Sequence, residues 1–235
     1  MKPIVILTVV TLAFGTLSAY GSEAEHEHDT RREPANCQPF SKLRMTLEQN
    51  ATDGDTEVVL FAKGQDEGLR ALSITAPDGR KVAKINGDRG GIGIREFALE
   101  SAEPMDLSLV LGSFPEGIYR MRGTTVTGGC LMGSAYLSHQ VAPATTLFTP
   151  AANEVVSINN VVLSWNNIAG AVLYTVGLKN KSLGNESSFQ VFPPTSSLVI
   201  PAAMLAPGTK YQFSVAVKTT SGNITSVEIP FFTTP

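Results

Sequence analysis

The chain has 235 residues, enough for about two domains, with charged residues at 17%, aromatics at 7%, 21 glycines and 14 prolines. Sparse charge with plentiful turn formers points to β-rich, exported material. The formal charge is -3, and the chain lacks a basic stripe, so nucleic acid and anionic membrane are not expected as partners.

Residues 1–21 open with Lys2, run apolar from Ile4 to Leu17, and end in Ala19-Tyr20-Gly21, with small residues where a signal peptidase needs them. A secretory signal peptide is expected. The apolar run falls short of the ~20 residues of a membrane-spanning helix, and no later segment reaches that length. The mature chain is therefore expected to carry no membrane span and to be secreted or periplasmic. Residues 22–36 are polar throughout and read as a disordered acidic tail. Within it His26 and His28, flanked by Glu25, Glu27 and Asp29, are weak metal-ligand candidates. The competing reading is a solvated leader, because an unfolded segment has nothing to fix its ligands. No other cofactor is expected.

Cys37 and Cys130 are the two cysteines. In an oxidising compartment such a pair is expected to form a disulfide, the alternative being two unpaired thiols. From Ser41 short strands alternate with turns. Leu43, Met45 and Leu47 share one face, T-D-G-D-T at Thr52 to Thr56 turns the chain, and Val58 to Ala62 follows. Asp53, Asp55 and Glu57 are spaced for a calcium loop but lack its distal glutamate, so a plain turn is favoured. Leu69 to Thr75 and Val82 to Ile85 flank A-P-D-G-R, a hairpin in which Pro77 presets the turn and Asp78-Gly79 closes it. The glycines of Asn86 to Glu96 match neither phosphate-loop pattern, which leaves a flexible connection. In Pro104 to Gly117, Leu107, Val110, Leu111 and Phe114 fit a short helix, preferred over a strand through Leu107, Leu109 and Leu111.

Pro115 to Tyr119, P-E-G-I-Y, echoes Pro207 to Tyr211, P-G-T-K-Y, each placing a turn glycine ahead of a tyrosine that opens a strand. Residues 37–141 therefore read as one immunoglobulin-like sandwich, 142–150 as a proline-bearing linker, and 151–235 as a second sandwich. In that last part strands are expected at Val161–Asn166, Val172–Lys179 (with Tyr174), Ser188–Phe192, Leu198–Ile200, Thr209–Lys218 and Asn223–Phe232. Leu205 precedes the turn, and Tyr211 sits where a tyrosine corner puts its phenol inward with the hydroxyl on upstream backbone. Val161, Leu163 and Trp165 point the same way.

These residues resemble a fibronectin type III domain. S-A-E-P, F-P-E-G-x-Y, G-T-T-V-x-G-G and L-S-H, followed by that half, make the whole chain similar to exported bacterial proteins with fibronectin type III domains. The resemblance implies an all-β chain of two tandem Greek-key β-sandwiches, the first with one short helix. It implies no chemistry.

Three catalytic signatures are absent: G-x-S-x-G, H-E-x-x-H and S-x-x-K. His139 beside Ser138 makes no catalytic pair, since strand neighbours face opposite ways. No catalytic residue is expected. Asn166, Asn167, Thr219, Thr220, Ser221, Gly222 and Asn223 lie in end loops and are the candidate binding residues. Asn50, Asn180, Asn185 and Asn223 begin N-x-S/T sequons and read as exposed polar loops. The expected function is non-catalytic binding of a partner protein or surface polymer through those loops. The alternatives are a carbohydrate-binding or accessory role on extracellular polysaccharide and weak metal binding by the tail.

Overall fold

The computed structural model describes residues 36 to 87, 91 to 103 and 106 to 235. The segment expected to be a signal peptide, His26, His28 and nearly all of the expected tail lie outside them. In chain order the elements are β1 (Gln38–Pro39), β2 (Lys42–Asn50), β3 (Thr56–Lys63), β4 (Leu69–Thr75), β5 (Lys81–Asn86), β6 (Glu96–Glu100), α1 (Leu107–Ser113), β7 (Gly117–Thr125) and β8 (Cys130–Leu137). There follow β9 (Leu147–Thr149), β10 (Val155–Val156), β11 (Val161–Trp165), β12 (Ala171–Asn180), β13 (Glu186–Val191), β14 (Ser197–Ile200), β15 (Lys210–Thr219) and β16 (Ile224–Thr233). The fold is an all-β sandwich architecture.

Three sheets organise the strands. One has the order β1-β8-β7-β4-β5, one β14-β11-β9, and between them runs β13-β12-β15-β16-β2-β3-β6, with β10 also on β16. In the first sandwich β2-β3-β6 faces the five-stranded sheet across Met45, Leu47, Leu60, Leu72, Ile74 and Tyr119. In the second, β13-β12-β15-β16 faces the three-stranded sheet across Leu163, Trp165, Tyr174, Phe213, Val215 and Phe231. Alternation produces both cores: Tyr211, Phe213, Val215 and Val217 are buried, and the residues between them are not.

Local chemistry sets the corners. Tyr119, fully buried, donates from its hydroxyl to the Pro115 carbonyl at 3.0 Å. The Tyr211 hydroxyl accepts from the Ala206 N–H at 2.8 Å. Asp106 caps α1 by accepting from the Ser108 N–H at 2.9 Å, and the helix buries Val110. The β4–β5 hairpin closes on Asp78-Gly79, with Gly79 at φ 86° and Asp78 accepting from the Arg80 N–H. Cys37 and Cys130 form a disulfide with Cα atoms 4.6 Å apart.

Two expectations need correcting. Residues 142–150 are not a free linker: Leu147–Thr149 pairs with β11, and Ala142 and Thr145 are buried. The physical reason is that these groups have partners to reach, Thr145 Oγ1 donating to the Asn166 carbonyl at 2.6 Å and the Ala142 carbonyl accepting from Thr225 Oγ1 at 2.6 Å. The connection before β6 is not loose throughout either. Leu69 and Ile94 bond each other's backbone at 2.9 and 3.1 Å, and Gly93 at φ 75° packs so close to Gly68 that a Cβ would stand 2.7 Å from its carbonyl carbon.

Strand β16 joins the two sandwiches. Beyond its antiparallel partner β15, it runs parallel to β2 through Ile224↔Glu48, Thr225↔Gln49 and Ser226↔Asn50. Pro34–Pro235 accordingly forms one compact unit.

Candidate functional site

The expected end loops come together, since Ala171 pairs with Thr219 and so brings Asn166–Gly170 and Thr219–Asn223 to one end of the second sandwich. That end is tied down. The Asn166 N–H donates to the Thr146 carbonyl, and its own carbonyl accepts from Thr145. Asn167 donates from Nδ2 to the Pro194 carbonyl at 2.7 Å and accepts from the Tyr174 hydroxyl at 3.3 Å, which holds the turn beside Trp165. Trp165 and Tyr174 meet edge to face at 5.6 Å, and Leu205 closes the same core.

Asn223 is a correction. It was expected on an exposed binding loop and is fully buried. Its Oδ1 accepts from the Leu47 N–H at 2.9 Å, and Nδ2 donates to the carbonyls of Ser138 and Gln140, each at 2.8 Å. A buried amide with every group paired inside the chain is not available to a ligand or a glycan. Asn180 is buried likewise, accepting from the backbone N–H groups of Ser182 and Leu183. Of the remaining loop residues, Thr219 and Ser221 share a hydroxyl bond, Gly222 takes φ 89°, and Thr220 is exposed.

His139 bonds the Phe114 carbonyl through Nε2 at 2.7 Å and gives its backbone N–H to Glu116. It ties the end of β8 to the segment after α1. A polar cleft of about 450 Å³ lies beside the disulfide. Its Glu67 accepts from Thr127 Oγ1 at 2.6 Å, and hydrogen bonds from Thr127 and then Thr125 hold its carboxyl below the usual range. The neighbouring Asp66 is paired with Arg95 at 2.9 Å. Both carboxylates are thus committed to the chain's own groups.

With the loops and junction occupied, the remaining broad surfaces are the outer faces of the sheets. Both cores lie on one side of the long central sheet. Its other side mixes signs: Lys63 pairs with Glu96 at 2.9 Å, and Arg44 lies 4.8 Å over the Phe61 ring. The outer face of the five-stranded sheet differs. Register places Lys81, Thr75, Arg120 and Ser134 in one row across β5, β4, β7 and β8, and Lys84, Ser73, Arg122 and Met132 in the next. Asn86, Ala71, Thr124 and Cys130 form a third row, and Ile118 opposes Tyr136 at one corner. Four cations and no carboxylate stand on these rows. Sequence reasoning missed the face because its cations come from strands nearly 40 residues apart, and only pairing aligns them.

No protein-family model matches the sequence, and no curated protein matches it. Solved structures do. The FN1–FN3 domains of chicken CNTN1 align at 13% identity and a TM-score of 0.36, over 83% of this chain and 64% of that one, so the chain spans just under two thirds of that segment. The fibronectin(III)-like modules of CbhA from Clostridium thermocellum give 7% and 0.35, over 83% and 93%. A two-domain fibronectin type III segment of chicken tenascin gives 11% and 0.31, over 80% and 97%. These three structural neighbours of the chain are fibronectin type III domains.

Proposed function

We propose that the chain is an exported, non-catalytic binding protein that presents a sandwich face, rather than its end loops, to a partner protein or surface polymer. The observation that carries this reading is the junction: Asn167 and Asn223, two of the expected contact residues, spend their side-chain amides on the chain itself, and Asn166 spends its backbone groups there. What the fold leaves free is the outer face of a sheet. Export is supported by the leader sequence and by the Cys37–Cys130 disulfide. Among the described residues no helix is long and apolar enough to cross a membrane.

The test is retention. The mature chain, immobilised, is expected to hold a macromolecule from culture medium or cell envelope reversibly, and to turn over nothing in a hydrolase panel. Turnover abolished by replacing a single carboxylate overturns the reading.

A further inference from the structure

The outer face of the five-stranded sheet has a charge pattern that specifies its partner. Lys81, Lys84, Arg120 and Arg122 are all exposed, and none has an ion-pair partner among the described residues. Among the described residues, Asp78 and Glu116 are the nearest carboxylates in sequence. They sit in flanking turns, Asp78 beside Arg80 and Glu116 on the His139 N–H and against the Tyr136 hydroxyl, at the corner and off the cation rows. Strand geometry spaces the cations as a grid, ~7 Å along β7 from Arg120 to Arg122 and ~10 Å across two strand spacings from Lys81 to Arg120.

Between the cations stand hydroxyls, Thr75, Ser73, Thr124 and Ser134, with Tyr136 beside Ile118 at the corner. We propose that this face binds an acidic polysaccharide, with Lys81, Lys84, Arg120 and Arg122 pairing its carboxylate or sulfate groups. The proposal rests on the binding-protein reading above and names the partner's chemistry. The hydroxyl rows hydrogen-bond sugar hydroxyls, and Tyr136, 56% exposed, offers its ring to the apolar face of a pyranose.

Other polyanions fit less well. Duplex DNA carries roughly one charge per 1.7 Å of axis, far denser than this grid. An anionic bilayer calls for an apolar surface to insert, and here only the Ile118–Tyr136 corner is apolar and exposed. A sparsely charged, hydroxyl-rich polymer matches both features of the rows.

The experiment uses the mature chain against polygalacturonate, dextran sulfate, neutral dextran, duplex DNA and phosphatidylserine vesicles, at several salt concentrations. Binding to polygalacturonate (carboxylate) or dextran sulfate (sulfate) is expected, weakening as salt rises, with none to neutral dextran. Arg120→Glu with Arg122→Glu is expected to weaken it roughly tenfold or more, as lost charge pairs on a polyanion do. Lys42→Glu with Lys179→Glu, on the central sheet, leaves it unchanged. Emission from the buried Trp165 reports whether each variant is folded. Unchanged affinity in the folded β7 variant overturns the proposal, as does equal binding to neutral dextran or tighter binding to DNA or vesicles. If the parent binds none of these polymers, the proposal falls, while the broader reading still stands or falls by the retention and turnover measurements.

Discussion

Glu57 stands on β3 directly opposite Glu48, with Glu100 and Glu103 nearby, half-buried and with Oε2 lacking any hydrogen-bond partner. Burial above all, then repulsion from Glu100, Glu103 and Glu48, pushes its carboxyl from the ordinary 4.5 up to about 7. The unfolded chain releases this proton near 4.5 and the native chain near 7, so between these values the native state holds more protons. Stability therefore falls as pH climbs through that window and levels off above it. Allowing for the solvent that reaches the group, the loss is about 1 kcal/mol. Urea midpoints from pH 4 to 8 are expected to decline in the parent, and Glu57→Gln is expected to remove that share of the decline and to be the more stable at pH 8. A variant with an unaltered slope refutes the assignment.

Among elements, the Cys37–Cys130 bridge ties the chain just before β1 to the start of β8, which β1 also pairs in parallel through Gln38↔Leu131. Closing a loop of sequence separation 93 limits the unfolded ensemble, and its removal is expected to cost about 4 kcal/mol in the chain-entropy description. Paired Cys37→Ala and Cys130→Ala replacements, followed by chemical denaturation, measure that loss; a change under ~1 kcal/mol contradicts it. This pair was legible in the sequence, as were the β4–β5 hairpin, the helix at Leu107–Ser113 and the two corner tyrosines. The pair was legible by cysteine count, and the other three are written in nearby residues: a turn dipeptide, an apolar spacing, a glycine ahead of a tyrosine. Short β9 and β10 were not, because two or three residues carry no period and depend on the edge they join. The cations of β5 and β7 were missed for the same reason, since strand register is a tertiary property that no local window contains.

For the whole molecule, the decisive contact is the parallel pairing of β16 with β2 and the Asn223 side chain beside it. Its three amide bonds reach β2 and the segment after β8 at once, so replacing it strands a buried N–H and two carbonyls. Asn223→Ala is expected to cost about 2 kcal/mol or more and to split one cooperative melt into two. Calorimetry of the parent showing two separate transitions would contradict this. The sequence pointed to Asn223 as a place of contact but not to its partners, because Leu47, Ser138 and Gln140 lie 176, 85 and 83 positions away. The disulfide has a further, mechanical effect. Tension entering at Cys37 crosses the sulfur bridge to Cys130 and bypasses the backbone between them, so that stretch cannot pay out under load. Only after reduction does that stretch become slack, roughly 300 Å when drawn straight, to be added to whatever residues 131–235 yield on their own.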